Sequence, residues 1–266
     1  MWRRDFRVEA GRFLRYALTP MKPQGAPPSI PDLSEKGRDA AGQAISLNRR
    51  LFMQLLVFGD ARNEQALKQA LASSGMAATL YRDINDPDGV ALLTWHEHPE
   101  FFVATLRDFL QQSAFSELTL KPAFTMLGRS YSIGYEADLP HVLFNRPIQR
   151  ATNPDAPWHV WYPLRRKGSF EKLPAAEQRE ILSEHGTLGA LFSAGDFGND
   201  IRLDCRGLDT NDNDFVIGLI GRELFPLSAM VQAMRKTRQT SEFLERLGPF
   251  FIGKAIWQRP GGTLES

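Results

Sequence analysis

The spacing of apolar residues from Arg50 onward predicts the same series of elements twice, in the order strand, helix, strand, strand, helix, strand. The first series comprises a strand at 51–58, a helix at 63–74, strands at 77–82 and 90–95, a helix at 99–112 and a strand after 115–128. The second comprises a strand at 158–162, a helix at 174–189, strands at 201–205 and 215–220, a helix at 226–238 and a strand ending at 257. The chain is therefore predicted to contain an internal duplication.

Matching tails support this duplication. The first half closes with Phe115-Ser-Glu…Gly128 and the second with Thr240-Ser-Glu…Gly253. An order of β-α-β-β-α-β is the ferredoxin-like arrangement. We therefore predict an α+β fold, a duplicated ferredoxin-like unit (a dimeric α/β-barrel) with two facing antiparallel sheets. Each sheet is expected to bury one face under its helices and to leave room for a ligand between the two sheets.

Segments of different composition set the expected boundaries. Residues near the N-terminus predict a short basic amphipathic helix at 3–17 and a proline-rich linker at 20–33. The predicted organisation is an N-terminal extension with linker (1–49), a first half (50–136), a linker (137–157), a second half (158–258) and a tail (259–266).

Composition and charge narrow the class of protein. The 266 residues carry a net charge of +1, so no global field would attract nucleic acid or an anionic membrane. No window approaches the roughly 20 apolar residues of a membrane-spanning helix, and the N-terminus lacks the apolar run of a signal peptide. The single cysteine, Cys205, excludes an internal disulfide and suits a reducing compartment. We expect a cytoplasmic protein with neither a nucleic-acid partner nor an integral membrane segment.

His185 stands out because it interrupts an apolar helix face. Ile181, His185 and Leu188 are spaced i, i+4 and i+7, which places them on one side of a helix. Gly186 and Gly189 are expected to mark the end of that helix. A histidine in such a position is either a hydrogen-bonded core residue or a ligand, and helical spacing alone leaves both interpretations open.

Five short motifs of the second half occur in a fixed order: Tyr162-Pro-Leu-Arg-Arg-Lys167, Glu184-His185-Gly186, Gly207-Leu208-Asp209, Met234-Arg235 and Gly248-Pro-Phe-Phe-Ile-Gly253. Together with the duplicated fold, this order resembles the chlorite dismutase-like haem proteins, which include the coproheme decarboxylases of bacterial haem synthesis. The resemblance covers residues 50–258 and is strongest from 158 onward. It implies a paired ferredoxin-like barrel, a haem cofactor (haem b or coproheme) bound in the second half, and assembly into homopentameric rings.

The resemblance also assigns roles to individual residues. His185 would be the iron ligand, and Arg165 and Arg166 would pair with propionates at the haem edge, where cationic groups are needed. For these arginines a second interpretation stays open, that of a solvated strand end. Tyr162 matches the tyrosine that becomes a radical and attacks the propionate in coproheme decarboxylases. The implied substrates are coproheme and hydrogen peroxide.

Two apolar residues are expected to line the slot that a flat macrocycle needs. Leu188 follows His185 on the same helix face, and Trp161 precedes Tyr162 on the predicted strand. For Trp161 and Tyr162 a second interpretation stays open, since aromatic residues also pack in sheets without any chemical role.

The position above the iron departs from the family pattern. There, an arginine in chlorite-converting enzymes or a glutamine in many coproheme decarboxylases lies seven residues before the glycine of Gly-Leu-Asp, which points to Asp200 here. Because the stretch between His185 and Gly207 is longer than usual, Asn199 or Arg202 could also occupy this position. An acid would shuttle a proton during peroxide cleavage and would repel an anionic oxychlorine substrate. The predicted catalytic residues are therefore Tyr162 and, above the iron, Asp200, and chlorite conversion is disfavoured.

The leading hypothesis is a haem-dependent oxidoreductase that uses peroxide, in the form of a coproheme decarboxylase. The alternatives are a non-catalytic haem carrier or sensor, a weak haem peroxidase, and a scaffold without haem in which His185 is a core residue. Tyr162 favours the enzyme, whereas the missing distal glutamine or arginine favours the carrier. Incomplete ligand sets at His96-Glu97-His98 and Asp209–Asp214 favour polar turns over metal sites.

Overall fold

The computed structural model describes residues 30–134 and 136–261. The helix predicted at 3–17, nearly all of the proline-rich linker and most of the tail therefore lie outside the described residues. Every element below lies within residues 34–261. A hairpin of β1 (Glu35–Arg38) and β2 (Ala44–Leu47) precedes the first half.

The first half follows the predicted order with one interruption. Its elements are β3 (Phe52–Gly59), α1 (Glu64–Ser74), β4 (Ala78–Asp83), β5 (Val90–His96), α2 (Glu100–Val103), α3 (Thr105–Gln112), a 3₁₀ turn (Ala114–Glu117), β6 (Thr119–Leu120), a 3₁₀ turn (Pro122–Phe124) and β7 (Met126–Arg129). Ala104, with φ −115° and ψ −87°, breaks the helix predicted at 99–112. Helix α1 begins where the Asn63 side chain accepts a hydrogen bond from the amide of Ala66.

The segment between the halves is helical and contributes to the core. It contains a π-helical turn (His141–Asn145) and α4 (Arg146–Ala151). Leu143, Ile148 and Ala151 pack into the same apolar cluster as the inward-facing residues of the sheets. This connection therefore covers part of the core as well as joining the halves.

The second half repeats the order of the first. Its elements are β8 (Trp158–Arg166), a 3₁₀ turn (Phe170–Lys172), α5 (Ala175–Ala194), β9 (Asn199–Asp204), β10 (Phe215–Gly221), α6 (Leu224–Met234), α7 (Arg238–Phe243), β11 (Leu244–Leu247) and β12 (Phe251–Arg259). The expectation that Gly186 and Gly189 end the His185 helix is wrong, because α5 continues to Ala194. The helix predicted at 226–238 is divided into α6 and α7 by a turn at Thr237.

Hydrogen bonds between strands close the sheet into a ring. The order is β10-β9-β7-β3-β5-β4-β12-β8, and the last strand, β8, pairs with the first, β10, which completes the ring. Each half contributes one antiparallel sheet, in the order β7-β3-β5-β4 or β12-β8-β10-β9, and these sheets join at β4–β12 and β7–β9. The arrangement confirms the duplicated ferredoxin-like α+β fold.

The interior of this barrel is a packed core. Met53, Tyr81, Trp161 and Phe251, drawn from both halves, are at most 1% exposed and belong to one apolar cluster. The expected room for a ligand between the two sheets is therefore wrong, because large inward side chains fill that space. A second apolar cluster lies on the outer face of the second sheet, beneath its helices. None of the helices in the described part of the chain is long and apolar enough to cross a membrane.

Candidate functional site

Two rows of side chains cross the outer face of the second sheet. Tyr162 of β8 and Arg202 of β9 both pair with Ile217 of β10, and Asp200 pairs with Leu219 in the next row. Directly paired residues of antiparallel strands point to the same side, and neighbouring strands lie about 5 Å apart. Tyr162 and Arg202 therefore share one face of the sheet, two strands apart.

Helix α5 supplies the histidine of this site. It packs against α6 and α7 and contacts the sheet at β9. Ile181 is buried, whereas His185 and Leu188 on the same face are half-buried. The predicted helix face is therefore present, and His185 lies within electrostatic range of Arg166, Arg202 and Asp200.

The ring of His185 has one nitrogen engaged and one available. Its Nδ1 lies 3.1 Å from Oγ1 of Thr237. Burial lowers the pKa of His185, and the guanidinium groups of Arg166 and Arg202 lower it further. No residue in the described ranges forms a hydrogen bond with Nε2. A neutral imidazole with a free Nε2 is the form that binds a metal.

Tyr162 lies beneath the helices with its ring held by stacking. It is 8% exposed, and its ring stacks on Phe250 with centroids 4.6 Å apart. Burial raises the pKa of Tyr162, and the charge of Asp200 raises it further, so the phenol keeps its proton. Within the described part of the chain its hydroxyl has no hydrogen-bond partner, which leaves it available to a bound molecule.

Arg166 is the cation best placed for an anionic ligand. Its guanidinium lies 4.8 Å from the ring centre of Phe170 and 4.9 Å from that of Phe215. Its Nε is buried without a hydrogen-bond partner among the described residues. Burial lowers the pKa of Arg166, although arginine stays charged at any physiological pH. An orphaned donor on a stacked guanidinium suits a carboxylate.

The three residues predicted for the distal position, which is the position above the iron, differ in their partners and in the direction of their side chains. Asp200 forms ion pairs with Arg150 at 3.2 Å and with Arg202 at 3.1 Å. Asn199 accepts hydrogen bonds from Arg150 and Ser193 through its side-chain oxygen. Asn199 belongs to neither of the two rows, because side chains alternate along β9. Of the three candidates, Asp200 and Arg202 therefore lie on the outer face of the second sheet with Tyr162, which we call the site face.

A cationic crevice adjoins these residues. It has a volume of about 430 Å³ including open solvent, and its polar lining includes Tyr131, Arg146, Arg150, Asp200 and Arg202. Burial lowers the pKa of Arg146, and the neighbouring Arg202 lowers it further. Three guanidinium groups outnumber the two carboxylates of the lining, Asp200 and Glu136, and this positive balance favours an anionic occupant.

Three residues near the site are not indicated by the sequence pattern. Arg146 and Arg150 are four residues apart, which is the spacing of one helix face, but they lie in a segment whose prolines indicate a linker. Thr237 follows the Met234-Arg235 motif, yet nothing in its spacing indicates contact with His185.

Two predicted site residues lie elsewhere. Trp161 is fully buried inside the barrel, where its ring lies against Gly218. Arg165 forms ion pairs with Asp212 at 2.8 Å and with Glu245 at 3.7 Å. Both follow from alternation along β8, which turns odd-numbered side chains away from Tyr162. The structure therefore does not bring Trp161 or Arg165 to the site.

The remaining motifs have structural explanations. The ring of His96 stacks on Phe101, and its Nδ1 accepts a hydrogen bond from the amide of His98. The carboxylate of Asp209 binds both the backbone amide and the side chain of Asn213 across a turn. Among the described residues no group of three or more His, Cys, Asp or Glu side chains could hold a metal ion.

Comparisons with known proteins agree with the fold. A protein-family model described as chlorite dismutase matches residues 61–256. Comparison with curated protein sequences gave no match.

Solved structures of similar fold include a heme-binding protein from Thermus thermophilus, with a TM-score of 0.60 at 18% identity over 85% of this chain and 94% of that chain. A mutant chlorite dismutase from Candidatus Nitrospira defluvii in complex with cyanide has a TM-score of 0.61 at 15% identity, covering 79% of this chain and 92% of that chain. The chlorite dismutase of the same organism in complex with imidazole has a TM-score of 0.60 at 15% identity, with 79% and 92% covered. At such identities these structures establish the fold alone.

Proposed function

This chain belongs to the chlorite dismutase family, and on that premise we propose that it binds haem through His185 and decarboxylates coproheme with hydrogen peroxide. The observation that carries the proposal is the imidazole of His185, which is neutral, half-buried and hydrogen-bonded at Nδ1 while Nε2 stays free. The adjoining apolar cluster and the orphaned donor of Arg166 suit the plate and the carboxylate edge of a porphyrin.

Each residue then has a definite task. His185 would hold the iron, and Arg166 would bind a propionate carboxylate. Leu188, on the same helix face, would line the slot. Bound haem would supply an iron centre that reacts with peroxide. Tyr162 offers a phenol that can lose an electron and a proton together, close to a bound propionate. Each propionate that becomes a vinyl group releases one carbon dioxide and consumes one peroxide and one proton, forming two waters.

Two residues would act on a peroxide bound above the iron. Asp200 remains our candidate for moving a proton during peroxide cleavage. Its ion pair with Arg202 adds a guanidinium to the same face, which would orient a bound peroxide or anion.

The Arg202 guanidinium also favours a second candidate function, the conversion of chlorite. An arginine on the site face provides the positive charge that an oxychlorine anion needs. Oxygen release from chlorite by the haem-loaded protein would support this alternative, which is otherwise disfavoured by the charge of Asp200.

A direct experiment is to load the purified protein with coproheme or with haem b, record absorption spectra, and add peroxide. We expect coproheme to lose carbon dioxide and to yield a smaller, more apolar porphyrin by mass spectrometry. Tyr162→Phe should stop decarboxylation with nearly unchanged coproheme affinity, because phenylalanine keeps the packing on Phe250. His185→Ala should abolish the Soret shift while the protein stays folded.

Bleaching of the porphyrin without loss of a carboxyl group would exclude the decarboxylase and leave a carrier, a sensor or a weak peroxidase. A wild-type ferric spectrum in His185→Ala would exclude His185 as the ligand. We also propose a homopentameric ring and a cytoplasmic location. Light scattering that shows a monodisperse monomer would contradict the ring, and cell fractionation tests the location.

A further inference from the structure

The Thr237 hydroxyl lies between His185 and the end of α6. Its Oγ1 is 3.1 Å from Nδ1 of His185 and donates a hydrogen bond of 2.8 Å to the carbonyl of Met234. Thr237 is 4% exposed and occupies the turn between α6 and α7. The bond to Met234 is shorter than the 3.4 Å contact with the Thr240 hydroxyl, so the hydroxyl hydrogen is assigned to Met234 and the oxygen to accepting the hydrogen of Nδ1.

The carboxylates beside His185 have other partners. Glu184 accepts a hydrogen bond of 3.0 Å from the backbone amide of Arg238, and Glu177 pairs with the Arg238 side chain at 3.1 Å. Asp200 is paired with two arginines. Among the described residues, the partner of Nδ1 is thus a neutral hydroxyl and not a carboxylate.

We propose that Thr237 is the positioning residue of the iron ligand, and this inference rests on the proposed function. Accepting from Nδ1–H fixes one tautomer and aims the lone pair of Nε2 at the site. A neutral acceptor withdraws less of the Nδ1 proton than a carboxylate does, so the imidazole stays a weak electron donor. A bound iron would then be held firmly enough for turnover and would remain exchangeable, as a porphyrin that is itself the substrate requires.

Three variants of Thr237 test the inference. Thr237→Val removes the hydroxyl at nearly constant shape, Thr237→Ser retains it, and Thr237→Asp replaces it with a carboxylate. Thr152→Val is the matched control, because the Thr152 hydroxyl also donates a 2.8 Å hydrogen bond to a helix carbonyl, that of Ile148, and has no contact with Thr237 or His185. Thr237 makes no side-chain hydrogen bond that caps α7, so the valine variant leaves that helix start intact.

The measurements are the iron–histidine stretching frequency of the ferrous haem complex by resonance Raman spectroscopy and the rate of haem transfer to excess apomyoglobin. For Thr237→Val we expect a lower frequency and transfer at least about tenfold faster, in line with the loss of an outer-shell partner of a metal ligand. Thr237→Ser and Thr152→Val should match the wild type. Thr237→Asp should raise the frequency and lower the reduction potential.

Each result has one meaning. A wild-type frequency and transfer rate in Thr237→Val, with native circular dichroism, would overturn the positioning role. A wild-type frequency equal to that of Thr237→Asp would overturn the neutral-acceptor inference. If the wild type itself shows no histidine-ligated iron, the proposed function fails first. Loss of folding in Thr237→Val leaves the decision to the Thr237→Ser and Thr237→Asp pair, whose frequencies must differ.

Discussion

Asp200 and Arg202 sit two residues apart on one face of β9, and their charges have opposite consequences for an anion at the iron. Arg202→Leu removes a donor from this face, so we expect cyanide to bind the ferric haem complex at least about tenfold more slowly. Asp200→Ala removes a negative charge and should leave cyanide binding equal or faster while slowing the peroxide step. Stopped-flow absorption measures both rates.

Arg222→Leu is the control for these variants, because Arg222 pairs with Asp196 at the surface and is 63% exposed. If Arg202→Leu and Arg222→Leu behave alike, Arg202 has no distal role. If Asp200→Ala leaves the peroxide step unchanged, the proton-shuttling role of Asp200 is contradicted.

His159 is a buried titratable group outside the site, and its burial makes the free energy of unfolding depend on pH. It is fully buried, with Nδ1 3.0 Å from the hydroxyl of Tyr81. Burial lowers the pKa of His159 to about 3. Since an unfolded histidine titrates near pH 6.5, the unfolded chain takes up a proton below that pH that the folded protein does not. The free energy of unfolding should therefore fall from this source as pH drops below 6.5, with a limiting slope of about 1.4 kcal/mol per pH unit.

Urea unfolding at several pH values from 7.5 down to 4.5 measures this slope. His159→Gln keeps a hydrogen-bonding group but cannot take up the proton, so its slope should be shallower than that of the wild type. His98→Gln, at an exposed histidine, should keep the wild-type slope. Equal slopes in wild type and His159→Gln would show that His159 is protonated in the folded protein.

At the scale of elements, α5 continues through two glycines that a sequence pattern would place at its end. Gly186 is exposed, and a Cβ added there meets no atom within 4 Å. Packing of α5 against α6 and α7 therefore outweighs the low helix propensity of glycine.

Gly186→Ala should raise the free energy of unfolding by about 0.5–1 kcal/mol, because alanine loses less backbone entropy in a helix. The same substitution at Gly207 should have the opposite sign, since Gly207 has a φ of +72° that favours glycine. Chemical denaturation of the apo-protein measures both changes. Destabilisation by Gly186→Ala would mean that α5 is not helical at this position.

In the whole molecule, the ring of strands has two seams, which are the junctions where the first sheet meets the second. They differ in the number of paired residues. Six residue pairs join β4 to β12, whereas β7 and β9 share the single pair Arg129 and Asp204. An ion pair of 3.6 Å between these two side chains supplements that seam. Ring closure therefore depends more on the continuous interior core than on hydrogen bonds at β7–β9.

Local opening should begin at the weaker seam, where few backbone hydrogen bonds must break. We expect amides of β9 that point toward β7 to exchange with solvent faster than amides of β12 that bind β4. Residue-resolved hydrogen exchange measures both sets. Equal protection at the two seams would show that the barrel opens only by global unfolding.

Local patterns along the chain predicted the order of the elements, the duplicated α+β fold and the helix face that carries His185. These properties follow from periods of 2 and 3.6 residues, which are local and appear in any single stretch of chain. The order of the motifs predicted the family, and with it Tyr162 and Arg166 as candidate site residues. The ends of the helices could not be predicted in the same way, because an end such as that of α5 depends on packing partners.

The side of β8 that faces the site follows from the pairing and packing of the folded chain and not from the sequence pattern. Trp161 and Tyr162 are both apolar enough to be buried, so the sequence pattern could not tell the barrel interior from the outer face. Pairing between strands placed Arg202 in the row of Tyr162, and a turn distant in sequence brought Thr237 to His185. Such contacts join residues from separate elements, and their geometry arises only when the strands have found their register and the helices have packed on the sheet.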